Sequence, residues 1–293
     1  MKDKNYLYTL ITGASKGLGK QFAIECARRK MNLILVSLPD ENLNKLSKDI
    51  TSTYQIKVSF RETDLTKRDA VKDLAQWLNE NFSVNMIVNN AGIGGSRIFA
   101  DSPTDYLENI IQLNISAMTL LTRLLLPVLK EQPKAFILNV SSLAAFSPVP
   151  YKTVYPASKA FIYNFTLGLR AELKDTNVSV SVLTPGPIMT NSDVSKRINK
   201  QSFYIKLSIM SAESIAQIAI KKLLRGSSII IPGFMNRFNA SVIRLVPVNF
   251  RIFVGTSIFK RELKKNQPNE SIDNRSYRAV GQQSDQTTAP GKL

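Results

Sequence analysis

The sequence predicts an α/β protein built as a doubly wound sheet, seven parallel strands with helices on both faces, followed by a helical C-terminal extension. Apolar strand-like runs recur at 7–12, 33–37, 57–61, 86–89, 135–140, 178–184 and 228–231. Segments of crossover-helix length, such as 19–30, 42–53 and 68–82, separate them, which is the alternation of a parallel sheet. The runs ILNV (137–140) and VSVSVL (178–183) are apolar or small throughout, as strands covered on both sides must be. Right-handed crossovers then place helices on both faces.

Composition narrows the chemistry. With 44% hydrophobic and 21% charged residues among 293, the chain is an ordinary globular one. A single cysteine, Cys26, excludes an internal disulfide. The absence of histidine removes an imidazole base, a Ser-His-Asp triad and any histidine-based metal site. Catalysis has to run on Tyr, Lys, Ser, Asn, Asp or Glu, and no metal site is expected. The N-terminal stretch reads as a buried strand rather than a signal peptide. The apolar run 118–129, interrupted by Arg123 and Pro127, falls short of the roughly 20 residues that cross a bilayer. A soluble, cytoplasmic protein is expected.

The elements follow in order. The first strand leads directly into TGASKGLG (12–19) and a helix. Gly13, Gly17 and Gly19 keep side chains out of a turn whose backbone can approach a pyrophosphate, and the helix N-terminus beyond offers free amides and partial positive charge. The second strand ends in Ser37, with Leu38 next and Asp40 three positions on. An acid at that end would hold the ribose hydroxyls and repel a 2′-phosphate. ETDLT, with Asp64, follows the third strand, and Asn89-Asn90-Ala91-Gly92 follows the fourth. A long helix then carries QLNIS with Asn114, and NVSSLAAF places Ser141 and Ser142 just beyond the fifth strand. VYPASKAF sets Tyr155 and Lys159 four residues apart, hence side by side on one helical face. Pro156 marks the first turn of that helix. The sixth strand ends in Pro185-Gly186, with Thr190 four residues after the glycine.

Taken together in this order, GxxxGxG, NNAG, the serine before YxxxK and PGxxxT resemble the short-chain dehydrogenase/reductase family over roughly residues 6 to 232, in the branch of 3-oxoacyl reductases and hydroxysteroid dehydrogenases. The resemblance implies a Rossmann fold and an NAD(P)-dependent oxidoreductase acting on a carbonyl or secondary alcohol. It implies cofactor contacts from Gly13, Ser15, Lys16, Gly17, Leu18, Gly19, Asp64 (adenine), Asn90, Ala91, Gly92, Tyr155, Lys159, Pro185, Gly186 and Thr190. It also implies a catalytic set of Asn114, Ser142, Tyr155 and Lys159. In that set Tyr155 is the acid, Lys159 lowers its pKa and holds the nicotinamide ribose, Ser142 stabilises charge on the substrate oxygen, and Asn114 holds a water that links Lys159 to solvent. The missing acid at Ser37 and the presence of Lys16 favour NADP(H) over NAD(H); Leu38, where many NADP-using relatives carry arginine, is a departure. A non-catalytic NADP(H)-sensing protein on the same fold is the alternative reading.

The chain divides into a catalytic domain (1–232), a basic amphipathic extension (233–265) and a disordered tail (266–293) of polar composition. The formal charge is +17, and residues 196–265 hold 14 Lys or Arg against Glu213 and Glu262. A lid over the substrate is expected at 190–207. Arg237, Arg244 and Arg251 recur every seven residues, with Phe234, Phe238, Leu245, Phe250 and Phe253 around them and Pro247 splitting the segment. Such an extension suits an anionic membrane surface, a cover over the active-site mouth, or a subunit interface. The expected partners are a small, apolar carbonyl or alcohol substrate and a second copy of the chain, with peripheral membrane contact through 234–265 and no nucleic acid.

Overall fold

The computed structural model describes residues 3–189 and 208–266. Thr190, the lid at 190–207 and the tail beyond Asn266 lie outside the described residues. Seven parallel strands form the main sheet, in the order β3-β2-β1-β4-β5-β6-β9. These are β1 (Asp3–Thr12), β2 (Asn32–Ser37), β3 (Val58–Glu62), β4 (Phe82–Asn89), β5 (Ala135–Val140), β6 (Val178–Leu183) and β9 (Ile229–Ile230). A short parallel pair absent from the sequence reading, β7 (Ile188–Met189) with β8 (Met210–Ser211), stands apart. The seven expected strands are all present.

Alternate residues of each strand feed opposite layers. On one face Ile11, Leu35, Val88 and Leu138 pack with Phe22 and Ala23 of α1 (Gly17–Arg28), and with Ile215 and Ala219 of α7 (Ala212–Leu224). On the other, Leu10, Ile34, Ile87 and Ile137 meet Leu74 and Leu78 of α3 (Arg68–Asn81), and Leu121 and Leu125 of α5 (Met118–Glu131). The edge helix α2 (Leu43–Tyr54) packs beside α1.

The run expected to be too short for a bilayer is longer than its composition indicated. One continuous helix spans Thr104–Glu131, 28 residues with a mean hydropathy of 1.4 in its most apolar window, as α4 (Thr104–Ile111), a π-helical turn (Gln112–Ala117) and α5. Pro127 lies inside it without ending it. By length and composition it could cross a membrane. In this fold it is a layer of the domain, with Leu121, Leu125 and Leu129 buried against the sheet.

Because β1 lies between β2 and β4, the chain reverses its direction across the sheet there, and the loops after β1 and β4 splay apart at their carboxyl ends. At their first residues they remain bound to each other. Thr12 Oγ1 accepts the amides of Asn90 (3.1 Å) and Ala91 (3.0 Å), while Asn90 Nδ2 donates to the carbonyls of Thr12 (2.9 Å) and Gly13 (3.1 Å). Gly19, grouped with the phosphate-facing glycines by its spacing, also has a packing task. A Cβ there would lie 1.9 Å from the Gly13 carbonyl oxygen, so its bare Cα lets α1 close against the turn. Gly19→Ala is expected to cost about 2 to 3 kcal/mol by overpacking backbone against backbone, read as a lower melting temperature.

Candidate active site

The glycine turn is shaped for an anion. Gly13 and Gly17 have φ of +64° and +56°, which side-chain-bearing residues rarely adopt. Helix α1 opens at Lys16 with no side-chain cap and no acid in its first turn, leaving its first amides for a ligand. Within this structure a carboxylate already uses the neighbouring donors: Glu41 accepts from Ser15 Oγ and, at 2.6 Å, from Lys16 Nζ. The residues therefore fit a phosphate-bearing cofactor. The same contact ties Lys16 to Glu41, which has to release it before the ammonium can meet a 2′-phosphate. Sequence reasoning passed over Glu41, which lies beyond the strand end where an acid is ordinarily sought. Ser37 is buried and its hydroxyl turns onto the Leu38 carbonyl; Asp40 is exposed. Asp64 caps its own loop through the amide and hydroxyl of Thr66 (3.0 and 2.7 Å). Leu18 is buried in the core below the turn, so its side chain faces away from any ligand.

Tyr155 and Lys159 sit in the first turns of α6 (Val154–Glu172), with Pro156 third in the helix, where a missing amide costs nothing. The helix is pinned by a polar chain through the core. Asn89 Nδ2 donates to Thr122 Oγ1 (3.0 Å) and Asn139 Oδ1 (2.8 Å), and Asn139 Nδ2 donates to Thr166 Oγ1 on α6 (3.0 Å). An asparagine inside the apolar run ILNV was the available signal for this chain, and it was missed.

The two serines part company. Ser141 is buried and donates to the Lys159 carbonyl at 2.7 Å. The Ser142 hydroxyl hydrogen-bonds the Tyr155 phenol and accepts the amide of Ala144 (3.2 Å). Tyr155 lies under a loop that requires glycine: a Cβ on Gly94 would come 2.4 Å from its ring. Lys159 is 5% exposed, and its Nζ donates to the Val140 carbonyl (3.0 Å), 5.6 Å from the Tyr155 ring centre.

The electrostatics differ from the expected acidified phenol. Burial raises the Tyr155 pKa above its ordinary value and the Ser142 hydrogen bond only partly opposes this. Burial lowers that of Lys159 to about 8. The lysine's hydrogen bond goes to Val140, and desolvation outweighs its pull on the phenol. Tyr155 is thus held as a protonated donor at neutral pH.

Asn114, in the π-helical turn, is 1% exposed. Its Oδ1 accepts the Ile93 amide, and its Nδ2 donates to the Ile93 carbonyl and to Ser158 Oγ, all at 2.9 Å. Both donors are used, so the amide clamps the loop after β4 to α6. Any water it shares with Lys159 has only the remaining Oδ1 lone pair. Gly92 lies against both groups, within 3.1 Å of Oδ1 and 3.3 Å of Lys159 Nζ for a Cβ placed on it.

Pro185 and Gly186 follow β6, and a buried residue of the extension supports them. Asn236, in α8 (Phe234–Leu245), donates to the carbonyls of Ser208 and Pro232, both at 2.9 Å. Its Oδ1 would meet a Cβ on Gly186 at 2.4 Å. Beside it, Leu143, Pro187, Ser208, Asn239, Val242 and Ile243 line a cleft of about 250 Å³, one residue along from Ser142. Pro247 separates α8 from α9 (Val248–Asn266). Arg244 and Arg251 turn back toward the domain: Arg244 stacks 4.2 Å over Phe146 and reaches Tyr163 Oη (2.7 Å), while Arg251 donates to the Phe146 carbonyl.

Comparison with known proteins agrees with this geometry. The family model described as short chain dehydrogenase matches residues 8–202. A very-long-chain 3-oxoacyl-CoA reductase from Anas platyrhynchos is 34% identical over 200 residues, covering 67% of this chain and 63% of the reductase. This chain therefore corresponds to less than two thirds of that relative's length. Among solved structures, a 7beta-hydroxysteroid dehydrogenase superposes with a TM-score of 0.73 at 25% identity, covering 80% of this chain and 91% of that one. A short-chain dehydrogenase from Sphingobium yanoikuyae in complex with NADPH gives 0.70 at 24%, covering 92% and 99%.

Proposed function

The chain belongs to the short-chain dehydrogenase/reductase family, and on that premise we propose that it is an NADP(H)-dependent oxidoreductase that reduces an apolar carbonyl with Tyr155 as the proton donor. The observation that carries this reading is the Tyr155–Ser142 pair at the carboxyl end of the sheet, with Lys159 buried behind it. The bound dinucleotide would supply hydride to the carbonyl carbon. Gly13, Ser15, Lys16, Gly17, Gly19, Asp64, Asn90, Ala91, Gly92, Pro185, Gly186 and, outside the described residues, Thr190 are assigned to holding it, directly or by shaping the turn. Tyr155 donates its phenolic proton to the oxygen as negative charge develops there. Ser142 donates to the same oxygen and stabilises that charge. Lys159 keeps a cation close to the phenol as it loses its proton. Asn114 positions the loop after β4 against α6.

Substrate class follows from the cleft beside Ser142, whose walls are mostly apolar, and from the relatives, which carry 3-oxoacyl and steroid names. Exposed Ile111 and Phe161 on the outer helices support a homo-oligomer.

NADP(H) is favoured because no acid ends β2 and because Lys16, once Glu41 lets go, can meet a 2′-phosphate. A charge-assisted contact is worth about 1.5 to 3 kcal/mol, so the KM for NADPH is expected to lie about tenfold or more below that for NADH. Glu41→Gln should widen the gap by freeing Lys16. Steady-state kinetics with both cofactors checks this, and a preference for NADH would reverse the assignment.

A further inference from the structure

The two C-terminal helices leave an apolar surface uncovered. Of the 17 large hydrophobic side chains that are exposed among the described residues, nine fall between Phe234 and Val254. On α8 they form one stripe: Phe234, Phe238, Val242 and Leu245 follow at intervals of four, four and three and are 74%, 56%, 39% and 85% exposed, the spacing of a single helical face. The opposite face, with Asn236 and Ala240, is buried against the domain. On α9, Phe250 and Phe253 are exposed as well, at 60% and 69%. A monomeric soluble protein rarely leaves such a patch bare.

Charge indicates what covers it. No Asp or Glu occurs from 214 to 261, a stretch that contains Arg237, Arg244 and Arg251, and the sequence continues as KRELKK at 260–265. Among the described residues these three arginines have no acidic partner. Arg244 and Arg251 spend their donors on Tyr163 and the Phe146 carbonyl, while Arg237 is exposed. A second copy docking here would bring two cationic faces together. Nor do these helices meet the length and hydropathy of a bilayer-crossing segment, which among the described residues only Thr104–Glu131 does. An amphipathic, cationic, aromatic-bearing helix pair of this kind lies in the interfacial plane of an anionic bilayer.

We propose that α8 and α9 dock the protein on an anionic lipid surface, burying Phe234, Phe238, Leu245, Phe250 and Phe253 among the acyl chains with the exposed Arg237 at the headgroups. The inner face of α8 supplies Asn236 and Ile243 to the cleft beside Ser142, so docking would bring that cleft to the membrane. This consequence rests on the proposed function; the docking itself does not.

The full chain is sedimented with vesicles of phosphatidylcholine, with or without phosphatidylglycerol. The wild type is expected to pellet with the phosphatidylglycerol vesicles and to be released by salt. The F238S/F253S double variant should partition about tenfold or more weakly, and Arg237→Gln should weaken binding with an unchanged thermal melt. All three sites are exposed, so the melts and dinucleotide binding of both variants should match the wild type, whether or not turnover is ever detected. The proposal is overturned if the wild type stays in the supernatant, if it binds neutral vesicles equally well, if the variants pellet like the wild type, or if the double variant instead splits a solution dimer.

Discussion

Tyr155→Phe is expected to fold, to bind the dinucleotide with unchanged affinity, and to lose about a thousandfold in turnover. The substitution removes one oxygen from a ring whose place is set by shape. Gly94 packs its backbone on the ring, Pro156 fixes the helical turn beneath it, and the Asn139–Thr166 contact holds α6 to the sheet. None of these depends on the hydroxyl. What disappears is the hydrogen bond with Ser142 and the proton that compensates the charge on the substrate oxygen. Burial raises the phenol's pKa, so the wild-type donor is fully protonated at neutral pH and suited to reduction. Single-turnover rates together with dinucleotide titrations separate the loss of chemistry from any loss of binding.

Replacing Lys159 with methionine should change activity and stability in opposite directions. The lysine is buried and its pKa falls from 10.5 to about 8 because its charged form is desolvated. In the unfolded chain the group still binds its proton up to about pH 10.4. The unfolded state therefore holds more protons between the two values, and stability rises with pH across that window. Below about pH 8 the cost of the buried charge is present in full. A shift of this size corresponds to about 3 kcal/mol, offset in part by the Nζ bond to Val140. Lys159→Met is thus expected to be more stable than the wild type at pH 7, with the advantage fading toward pH 10, while turnover falls about a hundredfold or more. In the wild type, reduction should slow as pH rises through about 8 and the ammonium is lost. Denaturant melts and rate–pH profiles read both effects.

The parts of the site that could be read in the sequence are those set by local geometry. A tyrosine and a lysine four apart on a helix share a face wherever that helix lies, and a glycine turn between strand and helix announces itself. What escaped the reading depends on long-range approach. Glu41 reaches Ser15 and Lys16 from a separate loop, and no spacing rule places it there. Asn114 was legible as a residue type, but its clamp between the loop after β4 and α6 was not, because its partners Ile93 and Ser158 come from two other elements. Asn236 belongs to the extension and supports Gly186 from outside the minimal fold. The expected fall in the Tyr155 pKa assumed the charge pair alone. Burial, which is invisible until the layers close, outweighs it. Gly19 was assigned to the ligand by motif, whereas its crowding against Gly13 emerges only once the turn is folded.

The central claim is that this chain moves hydride to a carbonyl while Tyr155 supplies the proton. The most direct measurement incubates the protein with NADPH deuterated at the transferred position and a panel of ketones, 3-oxoacyl thioesters and steroids, then locates deuterium in the products by mass spectrometry. The account predicts deuterium on the carbinol carbon of at least one product with the wild type and essentially none with Tyr155→Phe. Tight dinucleotide binding without label transfer to any member of the panel, or equal transfer by the phenylalanine variant, would contradict it.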